Sequence, residues 1–542
     1  IEAKGLLHRP PPSSSSFLDF SMASLDMTIS RFLLLLLFPP SGFRAAARDF
    51  KPRAYLEPSV QRFPGLSNIP EKWWSQDSKA WPPPPPYTNT IKDLGQTSSL
   101  EQCEQRSIQY RNPDVSPLSG WTRCDSYTWI GSSGGNCVCI VDLWGWEPKQ
   151  TQDPVIVSGI ITWPPQKCRS HADCSYNGRC NPETEVCECN ASWKGDRCHI
   201  LNLLPAVRNT GLRIVSEQNG RNISTWGGSV IFDPTNNISH MWAAEISDHC
   251  GLNTWTTNSR IIHATSKDPN KNYTRHSVVV PAFAHEPNVV RAPSGEYVMY
   301  YTGSFTDDPP PNPCMECTDG STPEGSCQGG PSGDGPTYMI YATNPYGPWS
   351  KPVQLFKSQA NFTNLDTNLA VVILPNNSVV GIARNEGPPT IDLTHLVTAE
   401  DWRDPDSYKA RWNSLLFPNT TVVNERGVED PFLYMDGQGM FHAIFHNQIE
   451  KDDERLCGAH AYSVNGLDWV FTGTAWGNVV NFTDGLVYKF SRRERPHFVF
   501  GDRTDPFKIT ALTTGVQYGP HAPISADGED ACFTLLQPVS LH

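Results

Sequence analysis

The chain has 542 residues, with 43 Lys and Arg against 56 Asp and Glu and a formal net charge of −13. No Lys/Arg-rich run interrupts it, and this excludes nucleic acid as a partner, because phosphate binding needs a basic face. The length calls for several domains, and sixteen cysteines, an even number, fit a disulfide-bonded chain made for an oxidising compartment.

Residues 1–47 read as a leader and signal peptide. Leu33 to Leu37, flanked by Phe32 and Phe38, follow Arg31 and precede Ala45-Ala46-Ala47, which are the charged, apolar and small-residue parts of a secretory signal. Met22 and Met27 are natural starts. The apolar core is too short to span a bilayer and no second long apolar run follows, so a secreted protein without a transmembrane segment is expected. Eight sequons agree, at Asn190, Asn222, Asn237, Asn272, Asn361, Asn376, Asn419 and Asn481, and predict a glycoprotein. Residues 48–96, with Pro82 to Pro86 in one run, read as a stiff extended linker.

In residues 97–162, Cys103, Cys124, Cys137 and Cys139 frame the strand-like Ser126-Tyr127-Thr128-Trp129 and Cys137-Val138-Cys139-Ile140-Val141. This stretch resembles a PAN/Apple module, which implies recognition of a protein or carbohydrate. In residues 166–200, Cys168, Cys174, Cys180, Cys187, Cys189 and Cys198 are spaced C-x5-C-x5-C-x6-C-x-C-x8-C, with Trp193-Lys194-Gly195-Asp196-Arg197 before the last. Six cysteines alone allow fifteen pairings. The stretch resembles an EGF domain, and the resemblance implies Cys168 with Cys180, Cys174 with Cys187, and Cys189 with Cys198. Pro164-Pro165-Gln166-Lys167 stands where calcium-binding members carry acidic and amide residues, so no calcium is expected; no other metal or cofactor is expected either.

Residues 201–542 repeat one pattern five times: an apolar strand, a tight turn, a second apolar strand. The first strands are Ser229–Phe232, Asn288–Arg291, Ala370–Ile373, Phe432–Met435 and His497–Phe500. Turns built from Gly, Pro, Asn and Asp follow. The second strands, Met241–Ala244, Tyr297–Tyr300, Val379–Ile382, Phe441–Ile444 and Ile509–Leu512, are aromatic or β-branched. Arg260–Ala264, Tyr338–Ala342 and His460–Ser463 supply further strands. A β-sandwich is the alternative, but repetition at this period favours a propeller. The expected fold is mainly β, a five-bladed β-propeller preceded by small disulfide-rich modules.

Inner strands of a propeller converge on one funnel. The aligned hairpins open with Trp226-Gly227, His285-Glu286, Thr367-Asn368, Glu429-Asp430 and Glu494-Arg495, which predicts an acidic funnel with one arginine. On His285-Glu286-Pro287-Asn288, Ala342-Thr343-Asn344-Pro345-Tyr346-Gly347-Pro348-Trp349, Glu429-Asp430-Pro431 and Glu494-Arg495-Pro496, the region resembles the five-bladed propellers of glycoside hydrolase families 43 and 32, the arabinanase, levansucrase and invertase group.

That resemblance implies glycoside cleavage by a carboxylic acid that protonates the leaving oxygen and a second carboxylate that activates water or attacks the sugar. In family 43 a base aspartate, a pKa-tuning carboxylate and an acid glutamate open the first three blades. Here the matching positions hold Gly227, Glu286 and Asn368, so one of the three is a carboxylate. Candidates for catalysis are Glu286, Asp430, Glu494 and, in a shifted register, Asp366; Asp248 or Glu245 would enter from blade one. Trp226, His285, Asn368, Glu429 and Arg495 are candidates for substrate contact, with His285 placed to polarise Glu286. Trp242 and Trp255 are candidates to stack on sugar faces. The competing role for Glu429, Asp430 and Glu494 is structural, accepting backbone hydrogen bonds or pairing with Arg384 and Arg495, and for His442 and His446 it is packing or hydrogen bonding rather than metal ligation.

Two functions follow from this reading. The first is a secreted glycoside hydrolase-like enzyme acting on a polysaccharide or glycan. The second is a noncatalytic extracellular protein in which the propeller binds a glycan or protein and the small modules bind extracellular partners.

Overall fold

The computed structural model describes the helix and strands within residues 59–162 and most of residues 167–541, with interruptions at 216–221, 248–250, 253–254, 304–335, 358, 360–367, 388–389, 412–427, 448–457, 502–504 and 519–531. The expected leader over residues 1–47, Pro82 to Pro86, Cys124, Asp248, Asn361, Asp366 and Asn419 lie outside the described residues. The chain divides into Ile1–Tyr55 and Leu56–His542, and everything below belongs to the second part. No described helix is long and apolar enough to cross a membrane.

Five antiparallel four-stranded sheets form the blades of a propeller. Blade one is Thr225–Asp233, Ile238–Ile246, Ser259–Ser266 and Thr274–Val280. Blade two is Ala284–Arg291, Tyr297–Gly303, Thr337–Ala342 and Val353–Gln354. Blade three is Ala370–Ile373, Val379–Gly387, Thr390–Ala399 and Lys409–Arg411. Blade four is Val428–Met435, Phe441–Asn447, Gly458–Ser463 and Trp469–Trp476. Each hairpin expected from the sequence is the inner half of a blade, because its aromatic and β-branched residues suit a surface buried on both faces.

Blade five takes Arg492–Phe500, Ile509–Gln517 and Cys532–Pro538 from the C-terminal part and its fourth strand, Gly211–Leu212, from before blade one. Gly211 pairs with Leu535 and Leu212 with Thr534, so both ends of the domain share one sheet and the ring is closed by hydrogen bonds. Gly211 sits at φ +103°, and a Cβ there would lie 2.2 Å from the Thr534 carbonyl oxygen. Only glycine fits.

The apolar core is divided into wedges between blades. One wedge, holding Met241, Val499 and Leu536, joins blades one and five. Another, holding Tyr300, Val371, Trp402 and Tyr408, joins blades two and three. The buried hydroxyls there are satisfied: Tyr408 donates to the Trp402 carbonyl at 3.0 Å and lies 2.8 Å from the Tyr300 hydroxyl, as burial of polar groups requires.

Cys168–Cys180, Cys174–Cys187 and Cys189–Cys198 are disulfide-bonded. The segment they staple is not a loose appendage. Trp193 is 4% exposed and shares a core cluster with Phe432, Tyr434, Trp476 and Leu512 of blades four and five. Its ring lies 4.8 Å from that of His460 and 6.0 Å from that of Phe498, and Tyr176 meets Tyr462 edge-on at 5.0 Å.

Further toward the N-terminus a five-stranded sheet runs in the order Ser59–Pro64, Ile156–Thr162, Ser126–Ile130, Asn136–Ile140, Ile91–Gln96. The helix Leu100–Gln109 is tied to it by Cys103–Cys137. Two of these strands, Ser59–Pro64 and Ile91–Gln96, correct the expectation of a linker over 48–96: the polar, Pro-containing sequence masks strands that the sheet recruits through long-range pairing.

Candidate functional site

The five blade-opening residues share one backbone conformation. Gly227, Glu286, Asn368, Asp430 and Arg495 have φ of +65°, +63°, +42°, +51° and +54°. In blades one, two, four and five the strand pairing skips at this point, between Trp226 and Ser229, His285 and Asn288, Glu429 and Phe432, and Glu494 and His497. Three of these residues precede a proline, Pro287, Pro431 or Pro496, which lacks the N–H a continuous ladder would need and keeps its neighbour out of the helical region. A left-handed non-glycine residue costs on the order of 1–3 kcal/mol. Four around one axis mark the place where the fold holds strain.

Their side chains meet. Arg495 places Nη2 on Glu286 Oε1 and lies 3.1 Å from Asp430 Oδ1. Asn368 donates through Nδ2 to Glu286 Oε2 and accepts from the Asp430 backbone N–H at 3.0 Å. The Arg495 N–H donates to Asp430 Oδ2 at 3.2 Å. Glu286, Asn368 and Asp430 are all buried. Burial disfavours the Arg495 charge and pushes its pKa well below the usual range; the two carboxylates are what the charge is paired with.

Gly227 completes the ring by yielding space. A Cβ there would lie 3.0 Å from Arg495 Cβ and 3.1 Å from its Cδ, so the arginine stem lies where the missing side chain would be. The space that a side chain at position 227 would occupy is sterically taken.

A second polar chain leads from blade three across blade four. Glu429 accepts from Arg384 Nη1 at 2.5 Å through Oε1 and contacts His446 Nδ1 at 2.6 Å through Oε2. Burial raises the Glu429 pKa, but Arg384 and His446 outweigh it and hold the carboxyl far below its ordinary range. Burial opposes protonation of His446, but its bond to Glu429 and the Glu494 charge outweigh burial and raise its pKa. Glu429, Asp430 and His446 offer ligand atoms within 4.8 Å of one another. Arg384 and Arg495 already neutralise the two carboxylates, a poor setting for a cation.

Several expected roles change. The His285 ring is bonded through Nδ1 to Ser259 Oγ at 2.6 Å and stacked on Trp255 at 4.9 Å; it does not polarise Glu286, whose partners are Asn368 and Arg495. Burial, then Arg495, push its pKa well below the ordinary value. Glu245 is fully buried between Arg260 and Arg275, at 2.6 and 2.7 Å, and Trp242 is buried between blades one and two, so neither reaches the funnel. Trp226 is 3% exposed and forms part of the cavity wall.

The ring lines a narrow cavity of about 20 Å³ within an envelope of about 340 Å³ that includes open solvent. Asn288 and His497, two residues beyond Glu286 and Arg495, also face it. Asn288 Oδ1, both His497 ring nitrogens and Arg495 Nε are buried there without a hydrogen-bond partner among the described residues. Burial, then Arg495, lower the His497 pKa to about 3, so the ring is neutral. Period-two alternation along each inner strand is the sequence signal that finds both residues.

No protein-family model matches the chain, and no curated protein matches it. Among solved structures, a family 117 glycoside hydrolase of the marine bacterium Zobellia galactanivorans is similar at 12% identity and a TM-score of 0.41, over 65% of this chain and 92% of that one. An α-L-arabinofuranosidase of Podospora anserina is similar at 12% identity and 0.40, over 62% and 98%. The catalytic domain of a family 62 α-L-arabinofuranosidase of Coprinopsis cinerea is similar at 10% identity and 0.40, over 62% and 95%.

Proposed function

We propose that this is a secreted glycoprotein whose propeller binds a neutral carbohydrate in the central funnel without hydrolysing it, with its EGF-like and PAN/Apple-like segments serving extracellular partners. The observation that carries this reading is Arg495 between Glu286 and Asp430 and over Gly227. Glycoside hydrolysis needs one carboxyl to give a proton and another to act on water or sugar; here the central pair is spent on a guanidinium. What the cavity leaves available is uncharged, namely the Asn288 amide oxygen and the neutral His497 ring, groups suited to sugar hydroxyls. Exposure of Asn190, Asn237, Asn272, Asn376 and Asn481 supports the glycoprotein part.

Hydrolysis is the second reading, favoured by His446, a proton-carrying group held by Glu429 and under the influence of Glu494. A glycan array probed with the full chain and with Asn288→Ala tests the first. Binding of one family of neutral glycans, lost in the variant, supports it; the absence of any glycan signal above an unrelated propeller sinks it.

A further inference from the structure

Away from the funnel, a groove of about 770 Å³ including its open mouth runs between the outer strand of blade one, Thr274–Val280, and the Tyr346–Pro352 segment of blade two. None of its ten lining residues carries a charge, which disfavours phosphate, uronate or a charged peptide, since a desolvated ion needs a partner.

Its wall is aromatic and fixed in place. Tyr346 is 53% exposed, and its ring stands edge-on to three imidazoles, at 5.3 Å from His240, 4.9 Å from His263 and 5.9 Å from His276. Asn344 Oδ1 accepts from the Tyr346 N–H at 2.9 Å. The base of this stack is rigid: His240 and His263 contact each other at 2.9 Å between ring nitrogens, and Trp242 stacks on His263 at 5.2 Å. Burial lowers the His240 and His263 pKa values to about 4 and 3, which keeps the support neutral. A half-exposed aromatic ring held this way loses little entropy when a ligand covers it.

Polar groups complete the groove. Trp349 adds a second aromatic side chain to the lining, and exposed Ser277 supplies a hydroxyl. As the outermost member of its sheet, the Thr274–Val280 strand turns one backbone edge outward. An aromatic platform, a hydroxyl and a free backbone edge in a groove without charge complement a ring with an apolar face and hydroxyls at its rim.

We infer that this groove is a second, independent binding site for a neutral saccharide, with Tyr346 as its stacking platform and the Ser277 hydroxyl as a hydrogen-bonding group at its rim. It lies on different residues from the funnel, although the choice of a saccharide over other uncharged ligands rests in part on the proposed function.

The test is titration calorimetry of the disulfide-intact full chain with neutral cello-, xylo-, arabino- and galacto-oligosaccharides, comparing wild type, Tyr346→Ala, Tyr346→Phe and Asn288→Ala. Tyr346 is half exposed, so its variants fold, and near-UV circular dichroism checks this. Two binding events are expected. Tyr346→Ala weakens one at least about tenfold, Tyr346→Phe preserves it, and Asn288→Ala weakens only the other. A single event removed by Asn288→Ala and untouched by Tyr346→Ala overturns this inference and leaves the funnel reading standing. A single event removed only by Tyr346→Ala sinks the funnel reading and keeps this one. Binding of oligoproline but of no sugar at the Tyr346 groove also overturns the inference.

Discussion

Arg495 of blade five reaches across the propeller axis and pairs with Glu286 of blade two. This contact joins two blades that are not neighbours in the ring, and it forms because Glu286, Asn368, Asp430 and Arg495 bend their side chains toward one another from the same left-handed position, while Gly227 leaves room for the Arg495 stem. Its removal is costly. Arg495→Met keeps the stem over Gly227 but leaves Glu286 and Asp430 buried without their cation, which is expected to destabilise by about 3–5 kcal/mol. Denaturant unfolding measures this, and adding Glu286→Gln should restore part of the loss, because the pair acts as one unit.

Gly227→Asp, which restores a carboxylate at the family's first position, is expected to lower stability and to confer no hydrolysis. The new Cβ meets the Arg495 stem at 3.0 and 3.1 Å, and φ is +65°. The backbone term alone is on the order of 1–3 kcal/mol. Thermal unfolding and reducing-sugar release check both halves.

Closure of the ring depends on Gly211. Gly211→Ala drives a methyl group to 2.2 Å from the Thr534 carbonyl oxygen, so the two-residue strand must leave the sheet. Faster amide exchange at Tyr273, whose N–H donates to the Gly211 carbonyl at 2.8 Å, is the expected readout.

The Glu429–His446 pair gives stability a definite pH dependence. The His446 pKa is raised above 6.5, so its contribution is full below 6.5 and is lost as pH rises through the folded-state value. The Glu429 pKa is lowered from 4.5, so its contribution is present above 4.5 and is lost as pH falls toward the folded-state value. Other buried histidines act oppositely: His497, lowered to about 3, loses stability as pH falls below 6.5. The clean observable is therefore the difference in melting temperature between wild type and His446→Gln. That difference should be largest between about pH 4.5 and 6.5 and shrink on either side.

Trp193→Ala is expected to cost about 3–5 kcal/mol and to free the disulfide-stapled segment from blades four and five, where its ring contacts His460 and Phe498. Limited proteolysis between Cys198 and Gly211 reads this directly.

The hairpins were legible because each inner strand combines aromatic and β-branched residues with a tight turn, and these signals are local. The alignment of Glu286, Asp430 and Arg495 was legible through the proline after each. Other features depend on distance. The Gly211–Leu212 strand is too short to carry a period, and its partner lies more than three hundred residues away. The acidic residues at the blade openings carry two competing roles in the sequence, catalysis and pairing with Arg384 and Arg495; Glu286, Asp430 and Glu429 are paired, and which role each takes depends on side-chain direction, which spacing does not reveal. His446 makes a hydrogen bond, as expected of it, but nothing near it in sequence shows that its partner is Glu429, which stands opposite it across the hairpin.

The central claim is that the funnel binds sugar and does not cut it. The most direct test incubates the full chain with a panel of polysaccharides and aryl glycosides and reads retained carbohydrate and released reducing sugar in the same sample. Retention that falls in Asn288→Ala, with no release above a heat-denatured control, is the outcome the account predicts. Release that Glu286→Gln or Glu494→Gln abolishes would contradict it and establish a hydrolase that works around the arginine.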